Sequence, residues 1–261
     1  MSYAGIAFSA FLPVPEITTA FEKFIKSGQE MRRHAIGAAA FDEEAKSLGF
    51  PIAFKSGALA PFDIVSDFLR GMRGTMLDMY RRPEKLLTLI DKLANRFIPM
   101  YIGGAKMSGH PGVFIALHRG SDGFMSLKQF ETFYWPTFKK MVLALIDADL
   151  TPWVFFEGDH TSRLPFYAEF PKGKVVGLFD ETDPVEAKRT LGNTMCMSGM
   201  MPASLLQFGT PDEVKGYAKK LIDTVGKDGG YIMAPKSVMD EANPALVKVW
   251  MDFTKEYGVY R

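Results

Sequence analysis

The feature that most constrains this chain is an alternation. A short apolar run, a polar turn and an amphipathic helix follow one another six times, with the runs at 50–54, 113–117, 153–156, 174–179, 194–197 and 231–234. None alternates strictly between apolar and polar residues, as expected of strands covered on both faces. Strand–helix repetition predicts a parallel sheet with right-handed crossovers. The helices between the runs carry their own start signals. Asp183-Pro184-Val185-Glu186 and Thr210-Pro211-Asp212-Glu213 combine a capping side chain, a first-turn proline and a glutamate. Ser126-Leu127-Lys128-Gln129 is a capping box, and Asn243-Pro244 opens a fourth helix in the same way. The helix after Ser126 places Leu127, Phe130, Tyr134, Phe138, Met141 and Leu145 on one face, and the helix after Thr210 does the same with Val214, Ala218, Leu221 and Val225.

A parallel sheet of this size either closes as a barrel or lies open and doubly wound. No Gly-x-Gly-x-x-Gly follows any run, so the dinucleotide version of the open sheet lacks its fingerprint. The expected fold is therefore α/β, a TIM-like (β/α)8 barrel in which six strand–helix units are visible and one or two N-terminal units are missing. Residues 1–261 read as one barrel domain, with a helical N-terminal segment over 1–49 and six βα units over 50–261. Within the first segment the pattern predicts two helices, 15–26 and 29–48, behind an apolar run at 6–12. That run marks a barrel edge, which a partner chain or homodimer mate is expected to cover.

Composition narrows the class of partner. Lys and Arg number 31 against 30 Asp and Glu, which argues against a broad nucleic-acid surface. No apolar stretch approaches a membrane span, and no secretory signal is visible, so a cytoplasmic protein is expected. The single cysteine, Cys196, excludes an internal disulfide and a cysteine-only zinc site.

In a β/α barrel the chemistry sits at the carboxyl ends of the strands. That rule selects His118, Arg119 and Asp122, then Glu157, Asp159, His160 and Arg163, then Asp180, Glu181 and Asp183, then Ser198 and Met200, and finally Lys236. Glu157, His118 and Asp180 are the expected catalytic residues. Arg119, Asp159, His160, Arg163, Met200 and Lys236 are expected to contact substrate. Glu157 and Asp159 can divide acid and base roles, and Glu157 with His118 can alternatively hold a divalent metal. Each has a plain structural alternative: Asp159 as a cap for a helix near Thr161, His118 as hydrogen-bonded scaffolding, Asp183 as a helix cap, Lys236 as a solvated lysine. His34 and His110 read as surface residues.

Several segments resemble the uroporphyrinogen decarboxylase family. They are Phe50-Pro51 through Gly57 with Pro61-Phe62 and Arg70-Gly71, then Gly123-Phe124-Met125-Ser126 with Phe130, Phe133 and Tyr134, then Leu206, Gly209-Thr210-Pro211 and Val214. The resemblance runs from about Phe50 to the C-terminus. It implies a distorted (β/α)8 barrel with a deep cleft for a tetrapyrrole or a small methyl acceptor. It also implies that relatives carry further strand–helix units ahead of Phe50. One branch of the family removes carboxyl groups from a tetrapyrrole without a cofactor. The other moves methyl groups between a corrinoid protein and a small substrate, using zinc.

The chain departs from both branches. The decarboxylases' arginine-rich opening segment is absent, their tyrosine falls on Asp67, their serine on Phe155 and their late histidine near Lys236. The methyltransferases' His-x-Cys-Gly metal motif falls on Phe155-Phe156-Glu157-Gly158, and their late cysteine near Lys236 or Ser237. With Glu157 in place of a thiolate, the resemblance implies methyl transfer from a small methylated substrate to a corrinoid carried by a partner protein. Glu157 then serves as acid or metal ligand, and no cofactor is held covalently. Tetrapyrrole decarboxylation and non-catalytic tetrapyrrole binding are the alternatives.

Overall fold

The computed structural model describes residues 9–259, which fall into two compact units divided between residues 53 and 54. Ile6, Ala7 and Phe8 of the expected edge run lie outside the described residues. Phe11 and Leu12 occupy turns rather than a strand.

The first unit is dominated by one helix, α1, Pro15–Ser47. Two helices were expected, with a break around Ser27 and Gly28. The helix runs through, because an interior glycine costs only about 1 kcal/mol. A Cβ at Gly28 would meet nothing within 4 Å.

The second unit holds, among its described residues, six strands: β1 Ser56–Leu59, β2 Gly112–Ala116, β3 Thr151–Phe156, β4 Val176–Phe179, β5 Cys196–Met201 and β6 Tyr231–Pro235. They pair in sequence order and every pairing is parallel. Between them run α2 Met72–Arg81, α3 Pro83–Ser108, α4 Trp135–Asp147, α5 Pro184–Leu191, α6 Pro211–Leu221 and, after β6, α7 Pro244–Tyr257, with shorter helical turns. This is the alternating α/β architecture read from the sequence. The sheet does not close: β1 and β6 are its edges.

Two strands are displaced from their expected positions. The first lies at Ser56–Leu59 rather than over 50–54, and the fifth extends through Met201 rather than stopping at Met197. Apolarity alone does not separate the aromatic run before β1 from β1 itself, whose small residues Ser56, Gly57 and Ala58 carry little hydrophobic signal. The helix starts hold. Asp183, Ser126, Thr210 and Asn243 each accept a first-turn backbone N–H, and Ser126 and Thr210 complete capping boxes.

The sheet's two faces differ. Val113 and Ile115 from β2, Leu117 just after it, and Val154 and Phe156 from β3 are buried. On the opposite face Phe114, Trp153 and Phe155 are half-buried. Phe54 stacks on Phe114 at 4.9 Å, and Phe114 lies 6.5 Å from Phe155. A closed barrel would pack this face as its core. The open sheet leaves it partly exposed, and it leads up to the strand ends where the polar residues gather.

Candidate functional site

A polar network forms where β1 and β2 end. Asp63 lies in the helical turn Pro61–Ile64 just after β1. His118 and Arg119 follow β2. The backbone N–H of His118 donates to Asp63 Oδ2 at 3.0 Å, and the Tyr134 hydroxyl donates to the same oxygen at 2.6 Å. His118 Nδ1 lies 2.5 Å from Asp67 Oδ2, and Arg119 Nη2 lies 3.1 Å from Asp67 Oδ1. Ser66 Oγ donates to Asp67 Oδ1 at 2.9 Å. Asp67 is thus clamped between a histidine, a guanidinium and a hydroxyl.

Asp67 and Tyr134 both sit on single π-helical turns, Val65–Leu69 and Phe130–Tyr134. Such turns interrupt an α-helix, rotate its following side chains and recur at functional sites. Here they swing Asp67 and Tyr134 onto one cluster from two different helical segments. His118 also lines a cavity of about 420 Å³ with Gly57, Leu59, Tyr101, Phe114 and Ala116. With Nδ1 turned to Asp67, its Nε2 is the nitrogen left for that cavity.

Asp63 is fully buried, and its Oδ1 has no hydrogen-bond partner. Burial pushes its carboxyl up to about 7, against the pull of the Tyr134 and His118 hydrogen bonds. Burial likewise raises Tyr134, as does the neighbouring Asp63.

The second cluster surrounds the loop after β3. Glu157 is exposed, and its carboxylate makes no hydrogen bond or ion pair among the described residues. Its backbone is held firmly. His160 Nε2 donates to the Glu157 carbonyl at 3.2 Å, and Asp180 Oδ2 accepts from the Gly158 N–H at 3.1 Å. Gly158 has φ +82°, a left-handed turn that glycine adopts without strain. Asp180 is half-buried, which raises its pKa despite that hydrogen bond. Asp159, two residues before Thr161, accepts from the Thr161 N–H and hydroxyl, while His160 holds the N-cap position of the short helical turn.

The other expected contact residues are placed as follows. His160 is fully buried, with Nδ1 2.7 Å from the Tyr167 hydroxyl, and burial drives its pKa down to about 3. It is therefore a neutral imidazole, accepting from Tyr167 and donating to Glu157. Arg163 is 2% exposed. It donates to the carbonyls of Gly120, Ser121 and Met125, pairs with Asp122, and lies over the Phe130 ring at 5.4 Å. Met200 is buried, with φ +72° beside Gly199 at +91°, where a Cβ would fall 2.6 Å from the Phe179 carbonyl. Lys236 pairs with Glu181. Asp183 caps α5, and His110 Nδ1 accepts from the Gly112 N–H.

Asp63 and Tyr134 were not among the residues selected from the sequence. Asp63 directly follows Pro61-Phe62 in a segment that carries the family resemblance. Its apolar neighbours hid it among core residues. Tyr134 falls on the apolar face of its helix and reads as core by spacing.

The buried pair Asp63 and His160 makes a prediction about pH. A carboxyl raised in the folded state stabilises below its unfolded value near 4, and this is lost as pH climbs to 7. An imidazole lowered in the folded state stabilises above its unfolded value near 6.5, and this is lost as pH falls toward 3. The two slopes oppose each other between about pH 4 and 6.5 and nearly cancel. Asp63→Asn keeps an acceptor for Tyr134 and His118 but removes one slope. The variant is expected to gain stability over the native chain as pH rises, by about 3 kcal/mol at pH 8. Thermal unfolding of both proteins between pH 4.5 and 8 measures this; a variant less stable than the native chain at pH 8 would contradict it.

The metal that the family's methyltransferase branch implies does not fit these residues. Among the described residues no three His, Cys, Asp or Glu side chains are grouped to hold an ion. The single thiol, Cys196, is half-buried within β5. No helix among the described residues is long and apolar enough to cross a membrane.

An all-parallel sheet alternating with helices, with polar residues gathered at its strand ends, is an α/β architecture consistent with a TIM-barrel-like fold whose barrel is not closed. The chain belongs to the uroporphyrinogen decarboxylase (URO-D) family, whose model matches residues 33–257. Among solved structures it is similar in fold to a methyltransferase from Methanosarcina mazei, with a TM-score of 0.65 and 18% identity. That match covers 78% of this chain and 58% of the other, so the present chain spans less than two thirds of it. No curated protein matches.

Proposed function

We propose that this chain transfers a methyl group from a small methylated substrate to a corrinoid carried by a partner protein, with His118 handling the proton. The observation that carries the reading is the Asp67–His118 pair opening on the cavity beside β1 and β2. Asp67 orients the imidazole so that Nε2 faces the substrate, the arrangement that general acid–base catalysis requires. The cavity walls are Leu59, Tyr101, Phe114 and Ala116, which suits a small, weakly charged molecule. The corrinoid would supply the nucleophile that takes the methyl group. His118 Nε2 would give its proton to the departing oxygen, nitrogen or sulfur, and Glu157 stands as a second acid on the exposed loop after β3.

The family's other chemistry acts on a substrate with many carboxylates, which asks for free arginines. Arg163 is committed to carbonyls and Asp122, and Arg119 to Asp67. This favours methyl transfer.

The test mixes the protein with a reduced corrinoid protein and a panel of methyl ethers, methylamines and methyl thiols, and follows the cobalt absorbance. A substrate-dependent spectral change is expected. No change with any of them would defeat the proposal, and stepwise loss of carboxyl groups from uroporphyrinogen on chromatography would replace it with the decarboxylase reading.

A further inference from the structure

Three segments of the chain meet at one carboxylate oxygen. Asp63 follows β1, His118 follows β2, and Tyr134 ends the π-helical turn before α4. The backbone N–H of His118 and the Tyr134 hydroxyl both donate to Asp63 Oδ2, from 55 and 71 residues away along the chain. About one turn beyond Asp63, Asp67 takes the His118 ring at Nδ1. One short segment therefore grips His118 twice, by its main chain through Asp63 and by its imidazole through Asp67. Arg119 adds a third hold, donating to the His118 carbonyl at 3.1 Å while pairing with Asp67. The far anchor is Tyr134, which is fully buried. Its ring centroid lies 5.6 Å from that of Phe62, 5.5 Å from Phe130 and 6.0 Å from Phe138. The loop after His118 lies directly against it: a Cβ at Gly120 would fall 3.2 Å from the Tyr134 ring. A hydroxyl set in so closely packed a core has little freedom to move.

The geometry points to Asp63 and Tyr134 as positioning residues that act through His118, fixing its main chain so that Nε2 is aimed into the cavity beside β1 and β2. Neither is among the residues lining that cavity. Their role rests on His118 being the proton carrier of the proposed reaction, and extends that reading to two residues that meet no substrate. Proton transfer requires donor and acceptor within hydrogen-bond reach. A misplacement of about 1 Å, caused by a residue away from the chemistry, costs on the order of a hundredfold in rate. Loss of the brace therefore lowers kcat. KM is unaffected, because the cavity walls Leu59, Tyr101, Phe114 and Ala116 are left as they are. What the brace supplies is an acceptor at a fixed place, which an amide oxygen also provides.

Three variants of the full chain test this, with circular dichroism to confirm folding. Tyr134→Phe keeps the packed ring and removes only the hydroxyl; kcat is expected to fall roughly tenfold with KM unchanged. Asp63→Leu removes the acceptor and is expected to cost roughly a hundredfold in kcat. Asp63→Asn is expected to keep kcat near native. A second readout needs no turnover. The proton that His118 Nδ1 shares with Asp67 is expected as a far-downfield resonance in protein labelled with ¹⁵N-histidine, assigned by its loss in His118→Gln. It is expected to stay in place in Asp63→Asn and to move or vanish in Tyr134→Phe and Asp63→Leu. Should Asp63→Leu not fold, Tyr134→Phe decides alone. Three results would overturn the proposal: kcat and resonance both native in Tyr134→Phe, a raised KM with native kcat, or Asp63→Asn as slow as Asp63→Leu. If no substrate is turned over at all, the methyl-transfer reading falls, and the resonance still decides whether Asp63 and Tyr134 position the imidazole.

Discussion

His118→Gln is expected to slow the reaction by about 10²–10⁴-fold, the usual contribution of a positioned acid or base, with its melting temperature within about 2 °C of the native chain. Glutamine retains a polar group facing the cavity but transfers no proton at neutral pH. The backbone N–H of residue 118 still donates to Asp63, so the strand-end turn keeps its anchor. Asp67→Asn separates orientation from proton transfer. An amide can donate to Nδ1 as well as accept from it, which releases the tautomer that presents the right nitrogen to substrate. The rate is expected to fall while KM stays close to native. The assay is the cobalt absorbance change under saturating substrate. If His118→Gln kept a third of native activity, the histidine would not be the proton carrier.

Arg163→Met is expected to unfold the protein early while leaving the KM of whatever survives unchanged. Its guanidinium is 2% exposed and holds three carbonyls of the loop after β2, besides Asp122. Methionine matches much of the volume but strands those acceptors and a carboxylate. Breaking a buried pair in this way costs about 3–5 kcal/mol, or roughly 10 °C in melting temperature at this size. Differential scanning calorimetry measures it. A native melting temperature with a raised KM would make Arg163 a substrate ligand, the role its position in the sequence suggests. Asp122→Asn is the milder companion: it removes the charge, leaves the carbonyl bonds in place and is expected to cost less than Arg163→Met.

These outcomes bear on how much of the molecule can be read before folding. The alternation of runs and helices was legible because burial on both faces leaves a compositional trace in every strand. The helix starts were legible because capping is local chemistry, settled within four residues. The boundaries of β1 were not, since Ser56, Gly57 and Ala58 have weak apolar character and owe their place to pairing with β2. The strand-end rule names the loops after β2, β3 and β4, and it does not rank the side chains within them. His160 and Arg163 look like site residues by position, and both are consumed by partners 7 to 43 residues away.

The sequence by itself determined the α/β class, the parallel sheet, the capped helices and the list of polar residues at the strand ends, because each follows from periodicity or short-range hydrogen bonding. It did not determine which of those residues act together. Asp63 and Asp67 lie more than fifty residues from His118 along the chain, and Tyr134 lies seventy-one from Asp63. Only the tertiary structure brings them together, through two π-helical turns and the pairing of β1 with β2. Only burial makes Asp63 a carboxyl with a pKa near neutrality, since the chemistry of an aspartate is set by the water it has lost.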